Sequence, residues 1–343
     1  MYVTNVADVT DSARAQVCLA AEKLAVGEVI GLPTETVYGL AADAENPLAV
    51  REIFTIKNRP SNHPLITHIA ANADIGYWVD ATRMSDEMWR LTRALMAAFF
   101  PGPLTLVLPK NSAINDVVTG GQNTIALRSP NHALFQDVLS QFARIKNTPN
   151  VGIAAPSANR FGRVSPTRAE HVRAEFGDAV WVLDGDASVI GIESTIVDLT
   201  SGVPRILRFG HITPQDIERV TGVTPILPEN ASDAPRVSGS LLAHYAPSTP
   251  MAWLDELAPE DRVNSAGLVY SERSEAQGRV MRLSANPHEY ARSLYHALRQ
   301  LDTWGVARIA VERLPDDAAW DAVRDRLNRA IVGSNLPSSA DSY

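Results

Sequence analysis

The chain has 343 residues and a formal net charge of −8, with 45% hydrophobic and 20% charged residues. This composition excludes wholesale disorder, and the acidic balance argues against a dedicated nucleic-acid-binding domain. The length favours two domains, with one large α/β domain as the alternative. The single cysteine excludes a disulfide within the chain and a zinc site built from several cysteines.

Neither a membrane span nor an export signal is evident. No apolar run approaches the roughly 20 residues of a transmembrane helix, and the first residues lack a basic region followed by an apolar stretch. We therefore expect a cytoplasmic protein without membrane contact. Cys18 lies in an apolar helical pattern and is expected to be a buried small hydrophobe.

Helical and strand-like patterns follow one another along residues 11–210. Asp11 or Ser12 starts a helix with apolar positions at 17, 20, 21 and 24, and Asn46 with Pro47 starts a second. Further helices are predicted from Ser85 to about Ala98 and from Ser165 through Phe176. Predicted strands are EVIGLP, LITHI, PLTLVLP, TIALR, VGIAA, AVWVLDG, STIVDLT and RILRF. Their clustering favours an α+β fold with a mixed sheet rather than a repeating parallel one.

A proline-rich segment divides the chain. Residues 223–250 carry five prolines and no periodicity, which is typical of a linker. Beyond it, SAGLVYS, RVMRL and RIAVERL read as strands and residues 286–303 and 317–332 as helices. We expect domains at 1–215 and 251–343, with a linker at 216–250, the last domain being a small α/β unit.

Polar side chains interrupt the apolar pattern in five segments: LPTETVYGLAAD, IKNRPSNHPLITH, TIALRSP, APSANRFGRVSPT and GIESTIVDLTSGVPRILRFG. Neither a P-loop nor a G-x-G-x-x-G pattern is present, so a phosphate would be held by Arg, Lys and hydroxyl donors. The loop with Lys57 and Arg59 allows three interpretations: a solvated turn, a contact with nucleic acid, or a binding site for a small phosphorylated ligand. His63 and His68 lack a third metal ligand at recognisable spacing. Ser165 is expected to cap the helix that follows it.

Together these segments resemble the YrdC/Sua5 family in its longer, Sua5-type form. The resemblance rests on PTETVYGL, the K-x-R of KNRP, PGPLTLVL, APSAN with SPT, and ESTIVD with RILRFG, and extends to SGSLLAHYAP in the linker. It implies a YrdC-like twisted mixed sheet with flanking helices, followed by a small C-terminal α/β domain. The linker is similar to a segment that covers the ligands in that family.

The resemblance also implies an activity. Family members combine L-threonine, bicarbonate and ATP into L-threonylcarbamoyl-adenylate and pyrophosphate, with Mg²⁺ entering together with ATP. The product would pass to a tRNA threonylcarbamoyl-transferase complex for t6A formation at adenosine 37 of tRNAs that read ANN codons. Direct contact with tRNA is expected to be weak, and no side chain of the protein is assigned as a metal ligand.

Carried onto this sequence, the resemblance assigns two sets of binding residues and a catalytic pair. The threonine pocket is expected to use Thr34, Thr36, His68, Arg128 and Ser194, with Arg128 binding the carboxylate. ATP is expected to contact Arg59, His63, Thr124, Ser157, Asn159, Ser165, Arg208 and Tyr245. Lys57 and Arg59 are the candidates for stabilising charge during catalysis.

Alternative functions remain open from the sequence. Short proteins of this type have been regarded as noncatalytic binders of double-stranded RNA, and the acidic balance counts against that as the main role. A carbamoyl-adenylate step of the hydrogenase-maturation type would require cysteine-rich zinc motifs, and this chain has one cysteine. Asp184, Asp186 and Glu193 are alternatively metal ligands or turn and surface acids.

Overall fold

A computed structural model describes residues 11–230, 233–239, 241–272 and 274–336. The predicted outer domain limits, residues 1 and 343, and linker residues 231, 232 and 240 lie outside the described residues. None of the described helices is long and apolar enough to cross a membrane.

The described residues form helices and strands in mixed order. The α-helices are α1 (Asp11–Ala25), α2 (Pro47–Lys57), α3 (Asp86–Phe99), α4 (Asp116–Thr119), α5 (Ala133–Lys146), α6 (Ala169–Phe176), α7 (Pro214–Thr221), α8 (Pro259–Val263), α9 (Pro287–Asp302) and α10 (Asp321–Ser334). The strands are β1 (Ile30–Leu32), β2 (Gly39–Asp43), β3 (Ile66–His68), β4 (Leu104–Pro109), β5 (Thr124–Arg128), β6 (Ile153–Ala154), β7 (Trp181–Val182), β8 (Thr195–Asp198), β9 (Arg205–Arg208), β10 (Met251–Trp253), β11 (Ser265–Val269), β12 (Val280–Arg282) and β13 (Arg308–Val311). The predicted linker segment 216–250 thus begins inside α7.

Two sheets organise these elements. The larger has the order β7-β1-β2-β6-β3-β5-β4-β8-β9 and is mixed: β3 with β5 and β4 with β8 run parallel, whereas β3 with β6 and β4 with β5 run antiparallel. The smaller sheet has the order β10-β13-β11-β12 and is parallel throughout. The predicted mixed sheet and second α/β unit are confirmed.

Local signals placed several helices correctly. The Asn46 side chain accepts from the N–H groups of Leu48 and Ala49 at the start of α2, with Pro47 in its first turn. Ser85 accepts from the N–H of Met88 at the start of α3. These side chains satisfy N–H groups that have no partner inside the helix, so the predicted starts are confirmed.

Other predictions were wrong or incomplete. Ser165 does not cap a helix: α6 begins at Ala169, and the buried Ser165 hydroxyl donates to Glu193 instead. Cys18 is exposed, because it lies one position beyond Val17 and therefore about 100° around α1 from the buried face. The sequence analysis also omitted strands β2 and β10 and helices α4, α5, α7 and α8.

The two faces of the large sheet are covered differently. Helices α2 and α3 bury apolar side chains on one face against β4 and β5. On the other face, α1 and α5 cover one end, while Val237 from the linker packs near Val107, Ile196 and Leu207 at the other end. Between these two covers, polar side chains of β3, β5 and β9 face a cleft.

The C-terminal unit shares a core with segments that connect the strands of the large sheet. Val37, Val164 and Ile192 from the N-terminal part pack in the same cluster as α9, α10 and the small sheet. The C-terminal unit therefore supports the back of the cleft directly.

Candidate active site

The cleft gathers side chains that are far apart in sequence. Of the predicted ligand contacts, Thr36, His68, Arg128, Ser157, Arg208 and Tyr245 line it. His68 on β3 and Arg128 on β5 are register partners on neighbouring parallel strands. Side chains alternate along a strand, so Thr124, Ala126 and Arg128 share one face of β5. The sheet therefore sets the spacing of these groups.

One end of the cleft offers neutral hydrogen-bonding groups. Thr36 lines the cleft, and its hydroxyl lies 2.9 Å from that of Thr34. Thr34 lies outside the lining, because its Oγ1 donates to the Val37 carbonyl and accepts from the N–H groups of Thr36 and Val37 in the turn after β1. Burial, followed by the charge of Arg128, lowers the pKa of His68 to about 3, so its ring is neutral at pH 7. Its Nδ1 lies 3.3 Å from the Ile153 carbonyl. Because a carbonyl only accepts, Nδ1 carries the proton and Nε2 is left as an acceptor.

Arg128 is the cation of this end. Its Nη2 lies 2.8 Å from Glu35 Oε1, and both side chains are at most 5% exposed. Its Nε donates to the Gly102 carbonyl over 3.3 Å. The planar guanidinium suits a carboxylate ligand, as the sequence predicts for this position.

Arg208 lines the other end of the cleft, and Arg59 lies just outside the lining, where both arginines reach Ser238 of the linker. Arg208 donates from Nε and Nη2 to the Ser194 carbonyl, at 3.0 and 2.9 Å, and from Nη2 to Ser194 Oγ at 3.1 Å. Arg59 donates to the Pro64 carbonyl at 3.1 Å, and burial lowers its pKa to about 10, so it keeps its charge at pH 7. The buried Nε of Arg59 has no hydrogen-bond partner among the described residues. A phosphorylated ligand could supply acceptors to this pair.

The linker passes through the same space. Arg208 Nη1 donates to the Ser238 carbonyl at 2.9 Å, and Arg59 Nη2 lies 3.5 Å from Ser238 Oγ. The ring of Tyr245 stacks on Tyr295 at 5.7 Å and lines the cleft beside Gly239. The space left between the linker and the sheet is about 30 Å³. That is room for a water molecule or two, so any ligand as large as a nucleotide requires the linker to move.

Other predicted residues lie around this cleft rather than in its lining. Lys57 Nζ donates to the backbone carbonyls of Ser157, at 2.5 Å, and Asn159. Burial, then the charge of Arg59, lowers the Lys57 pKa well below its usual value. Asn159 donates to the carbonyls of Arg160 and Arg163. These contacts brace the loop that carries Ser157.

Three more predicted residues have peripheral positions. Thr124 lines a small neighbouring cavity that shares Ile66 and Ser238 with the cleft. His63 packs edge-on against Phe161 at 5.5 Å and is partly exposed. Ser194 Oγ lies 2.7 Å from Thr105 Oγ1 and accepts from Arg208. Whether each contacts a ligand stays a prediction.

Among the described residues, Glu193 is the acidic residue that lines the cleft. Its carboxylate accepts from Ser165 Oγ at 2.6 Å, Tyr295 OH at 3.0 Å and Arg326 Nε at 2.9 Å. The last two donors come from the C-terminal unit. With its oxygens engaged in this way, Glu193 is a structural anion and a poor metal ligand.

A group with metal-binding composition occurs at the domain junction, formed by Glu170, His171 and His296. His171 Nδ1 accepts from the N–H of Thr167 at 3.2 Å, so its Nε2 carries the proton. That nitrogen lies 3.2 Å from His296 Nδ1 and donates to it. The arrangement is a hydrogen bond between two histidines and offers no free lone pair on His171.

Sequence reasoning missed Glu35, Tyr295 and Arg326 as parts of the site. A signal existed for two of them: Glu35 lies between two threonines in an otherwise apolar stretch, and Arg326 lies on the helix face of Ala322, Val323, Leu327 and Ala330. Charged residues in such positions require a buried partner. The sequence gives no means of choosing that partner.

Two family models match successive parts of the chain. Residues 22–210 match the family model Sua5_yciO_yrdC, described as "Telomere recombination", and residues 212–331 match the model "Threonylcarbamoyl-AMP synthase, C-terminal domain". Threonylcarbamoyl-AMP synthase of Bacillus subtilis is 37% identical over 95% of this chain and 96% of its own. The enzyme of that name from Pyrococcus abyssi is 35% identical, over 91% and 93%.

A solved structure extends the similarity to three dimensions. The crystal structure of P. abyssi Sua5 complexed with L-threonine superposes with a TM-score of 0.82 at 33% identity, covering 94% of this chain and 95% of that one. Similarity of this extent includes both sheets and the segment between them. The chain therefore belongs to the Sua5-type branch of the YrdC/Sua5 family.

Proposed function

We propose that this protein is a nucleotidyltransferase that makes L-threonylcarbamoyl-adenylate and pyrophosphate from L-threonine, bicarbonate and ATP. The observation that carries the proposal is the division of the cleft. Arg128, neutral His68 and the Thr36 hydroxyl line one end, and Arg208 lines the other, where Arg59 reaches the same linker residue, Ser238. An amino acid and a triphosphate need such neighbouring but different environments.

The chemistry requires no nucleophile from the protein. The threonine amine attacks the carbon of CO₂ and releases a proton, or attacks the carbon of bicarbonate with loss of water, to give a carbamate. A carbamate oxygen then attacks the α-phosphorus of ATP, and pyrophosphate leaves. Arg128 would bind the threonine carboxylate, and His68 Nε2 would accept a hydrogen bond from threonine. Arg59 and Arg208 would stabilise the charge on the phosphates.

Mg²⁺ is proposed to enter with ATP and to stay on the phosphates. Among the described residues, Glu193 is the acidic residue that lines the cleft. Its carboxylate already accepts hydrogen bonds from Ser165, Tyr295 and Arg326. Mg²⁺ coordinated mainly by phosphate oxygens and water is compatible with these surroundings. The product would then pass to the transferase complex that modifies tRNA, in the cytoplasm.

The burial of three arginine side chains argues against a noncatalytic RNA-binding role. Arg59, Arg128 and Arg208 are at most 7% exposed, so they cannot reach the backbone of a folded RNA. The names of the relatives support the catalytic interpretation over this alternative.

Pyrophosphate release, measured while each substrate is omitted in turn, tests the proposal. We expect release to depend on both threonine and bicarbonate, with threonylcarbamoyl-adenylate detected by mass spectrometry. Two variants serve as reciprocal controls: Arg128→Ala should mainly raise the KM for threonine, and Arg208→Ala the KM for ATP. Pyrophosphate release that ignores threonine would contradict the proposal.

A further inference from the structure

Glu35 occupies a position that the proposed reaction does not yet explain. It lies in the turn after β1, between Thr34 and Thr36, and is 4% exposed. The turn is fixed on both sides, because the Glu35 carbonyl accepts from the N–H of Ile190 at 2.8 Å and the Thr34 carbonyl from Ser188 Oγ at 2.9 Å. The backbone of Glu35 is therefore held in place independently of its side chain.

The carboxylate of Glu35 meets a single cation. Among the described residues, Arg128 is the basic residue within 4.0 Å of it, with Nη2 2.8 Å from Oε1. The contact lies outside hydrogen-bond geometry, and Oε2 has no hydrogen-bond partner in this part of the chain. The pair is thus held by charge and by the packing of two buried side chains.

Arg128 has little else to fix its orientation. Its described hydrogen bond is the 3.3 Å contact from Nε to Gly102, which is long for an N–H···O bond. Arginine has several rotatable bonds, and a guanidinium binds a carboxylate well only when its edge is aligned with both oxygens. A buried anion beside one Nη nitrogen would therefore decide which edge of the fork faces the cleft.

We propose that Glu35 is a positioning residue for amino-acid binding: it holds Arg128 so that the guanidinium presents its free edge to the substrate carboxylate. The inference rests on the proposed function, since it takes the threonine carboxylate as the ligand of Arg128. Two opposing effects make it testable. Removing the Glu35 charge would strengthen the attraction of any anion to Arg128, whereas loss of orientation would weaken binding.

Glu35→Gln separates the two effects, because glutamine keeps the size of the side chain and removes its charge. We expect the KM for threonine to rise about tenfold, a loss of about 1.4 kcal/mol of binding free energy, with kcat and the KM for ATP within about twofold of the wild type. Glu35→Asp keeps the charge at a shorter reach and should give an intermediate KM. If the glutamine variant fails to fold, the aspartate variant alone tests the inference: its KM for threonine should rise while its kcat and its KM for ATP stay close to the wild-type values.

Asp198→Asn is the matched control. Asp198 is fully buried in β8 of the same sheet and pairs with Arg205, outside the cleft. Its variant should unfold at a lower temperature and keep the wild-type KM for threonine. A purely structural role of Glu35 would give the same result as this control.

The outcomes are distinguishable. A KM for threonine that is unchanged or lower in Glu35→Gln, or a KM for ATP that rises equally, overturns the positioning role while leaving the proposed function standing. Wild-type pyrophosphate release that does not depend on threonine overturns the proposed function itself. A selective rise in the threonine KM, partly restored in Glu35→Asp, supports the inference.

Discussion

Arg326 of α10 and Glu193, just before β8, form a buried ion pair at 2.9 Å that joins the C-terminal unit to the cleft. Arg326 also donates to the Phe209 carbonyl, and its guanidinium lies 5.1 Å from the ring centre of Tyr245. Burial alone would raise the Glu193 pKa, but Arg326, Arg208 and the Ser165 hydroxyl outweigh it and hold the pKa at about 2. The C-terminal unit thus supplies the countercharge for an anion beside a proposed phosphate site.

Arg326→Met should lower both stability and ATP use. An unpaired buried carboxylate is expected to reduce the free energy of unfolding by about 3–5 kcal/mol. It would also repel the phosphates of ATP and raise the KM for ATP. Urea unfolding and steady-state kinetics measure the two effects.

The double variant Glu193→Gln/Arg326→Met should recover much of the stability, since position 193 is then neutral and Asp325, the other ion-pair partner of Arg326, keeps Arg329. Arg313→Met is the control on the same unit, because Arg313 forms its ion pairs with Asp255 and Glu256 on the surface. Wild-type stability in Arg326→Met would show that the ion pair does not support the fold.

Local signals predicted much of the fold but not the partners of its buried charges. The caps Asn46 and Ser85 act within three residues of the helices they start, so they can be read from the sequence. Ser165 carries the same signal, yet Glu193, 28 residues away, takes its hydroxyl. Long-range contacts of this kind depend on the packed structure, and propensity cannot anticipate them.

Periodicity has a similar limit at the cleft. His68 and Arg128 can be assigned to strands from sequence, but their adjacency requires the β3–β5 pairing. Strand β2 was missed because GLAAD, buried at every position, shows no alternation between apolar and polar residues. The linker contact through Ser238 equally depends on a fold that brings residue 238 to Arg59 and Arg208.

Acid should weaken the domain junction through His171. Its Nε2 donates to His296, and the charged groups around the pair are Arg299 from α9, Arg168 just before α6, and Glu170 in α6. Burial, followed by Arg299 and His296, lowers the His171 pKa to about 3. Because the unfolded chain takes up this proton near pH 6.5, the stability is complete above pH 6.5 and declines as the pH falls toward 3.

His171→Asn removes the titrating ring and keeps an acceptor for the Thr167 N–H. Its free energy of unfolding should fall less steeply between pH 6.5 and 5 than that of the wild type, by up to about 1.4 kcal/mol per pH unit. Urea titrations at several pH values give both slopes. Identical slopes would mean that His171 does not contribute to acid sensitivity.

Lys57→Met distinguishes a loop-supporting lysine from one that contacts phosphate. The structure directs Nζ to the carbonyls of Ser157 and Asn159. With methionine, the Ser157 carbonyl keeps the N–H of Asn159 as a donor at 3.0 Å, whereas the Asn159 carbonyl loses its described donor. We expect a lower melting temperature and a higher KM for ATP, with kcat reduced less than tenfold. A collapse of kcat at unchanged melting temperature would instead indicate direct stabilisation of the transferring phosphate.

Gly239→Ala tests whether the linker must pack against Arg208 to cover the cleft. Gly239 has φ of +81°, and a Cβ there would lie 2.3 Å from the Tyr245 hydroxyl and 3.2 Å from Arg208 Nη1. We expect the substitution to displace the linker and to make the peptide bond after Arg236 more accessible to trypsin. The KM for ATP should rise if the displaced segment helps to hold the nucleotide.

Gly202→Ala is the matched control for backbone strain. Gly202 has a similar φ of +77°, but no atom lies within 4 Å of its added Cβ among the described residues. Both variants place alanine in a left-handed backbone conformation, which is strained. Only Gly239→Ala also disturbs the packing against Tyr245 and Arg208. Faster linker cleavage in Gly239→Ala alone would therefore report the lost contact, whereas equal cleavage in the two variants would assign the effect to strain and argue against a closed linker.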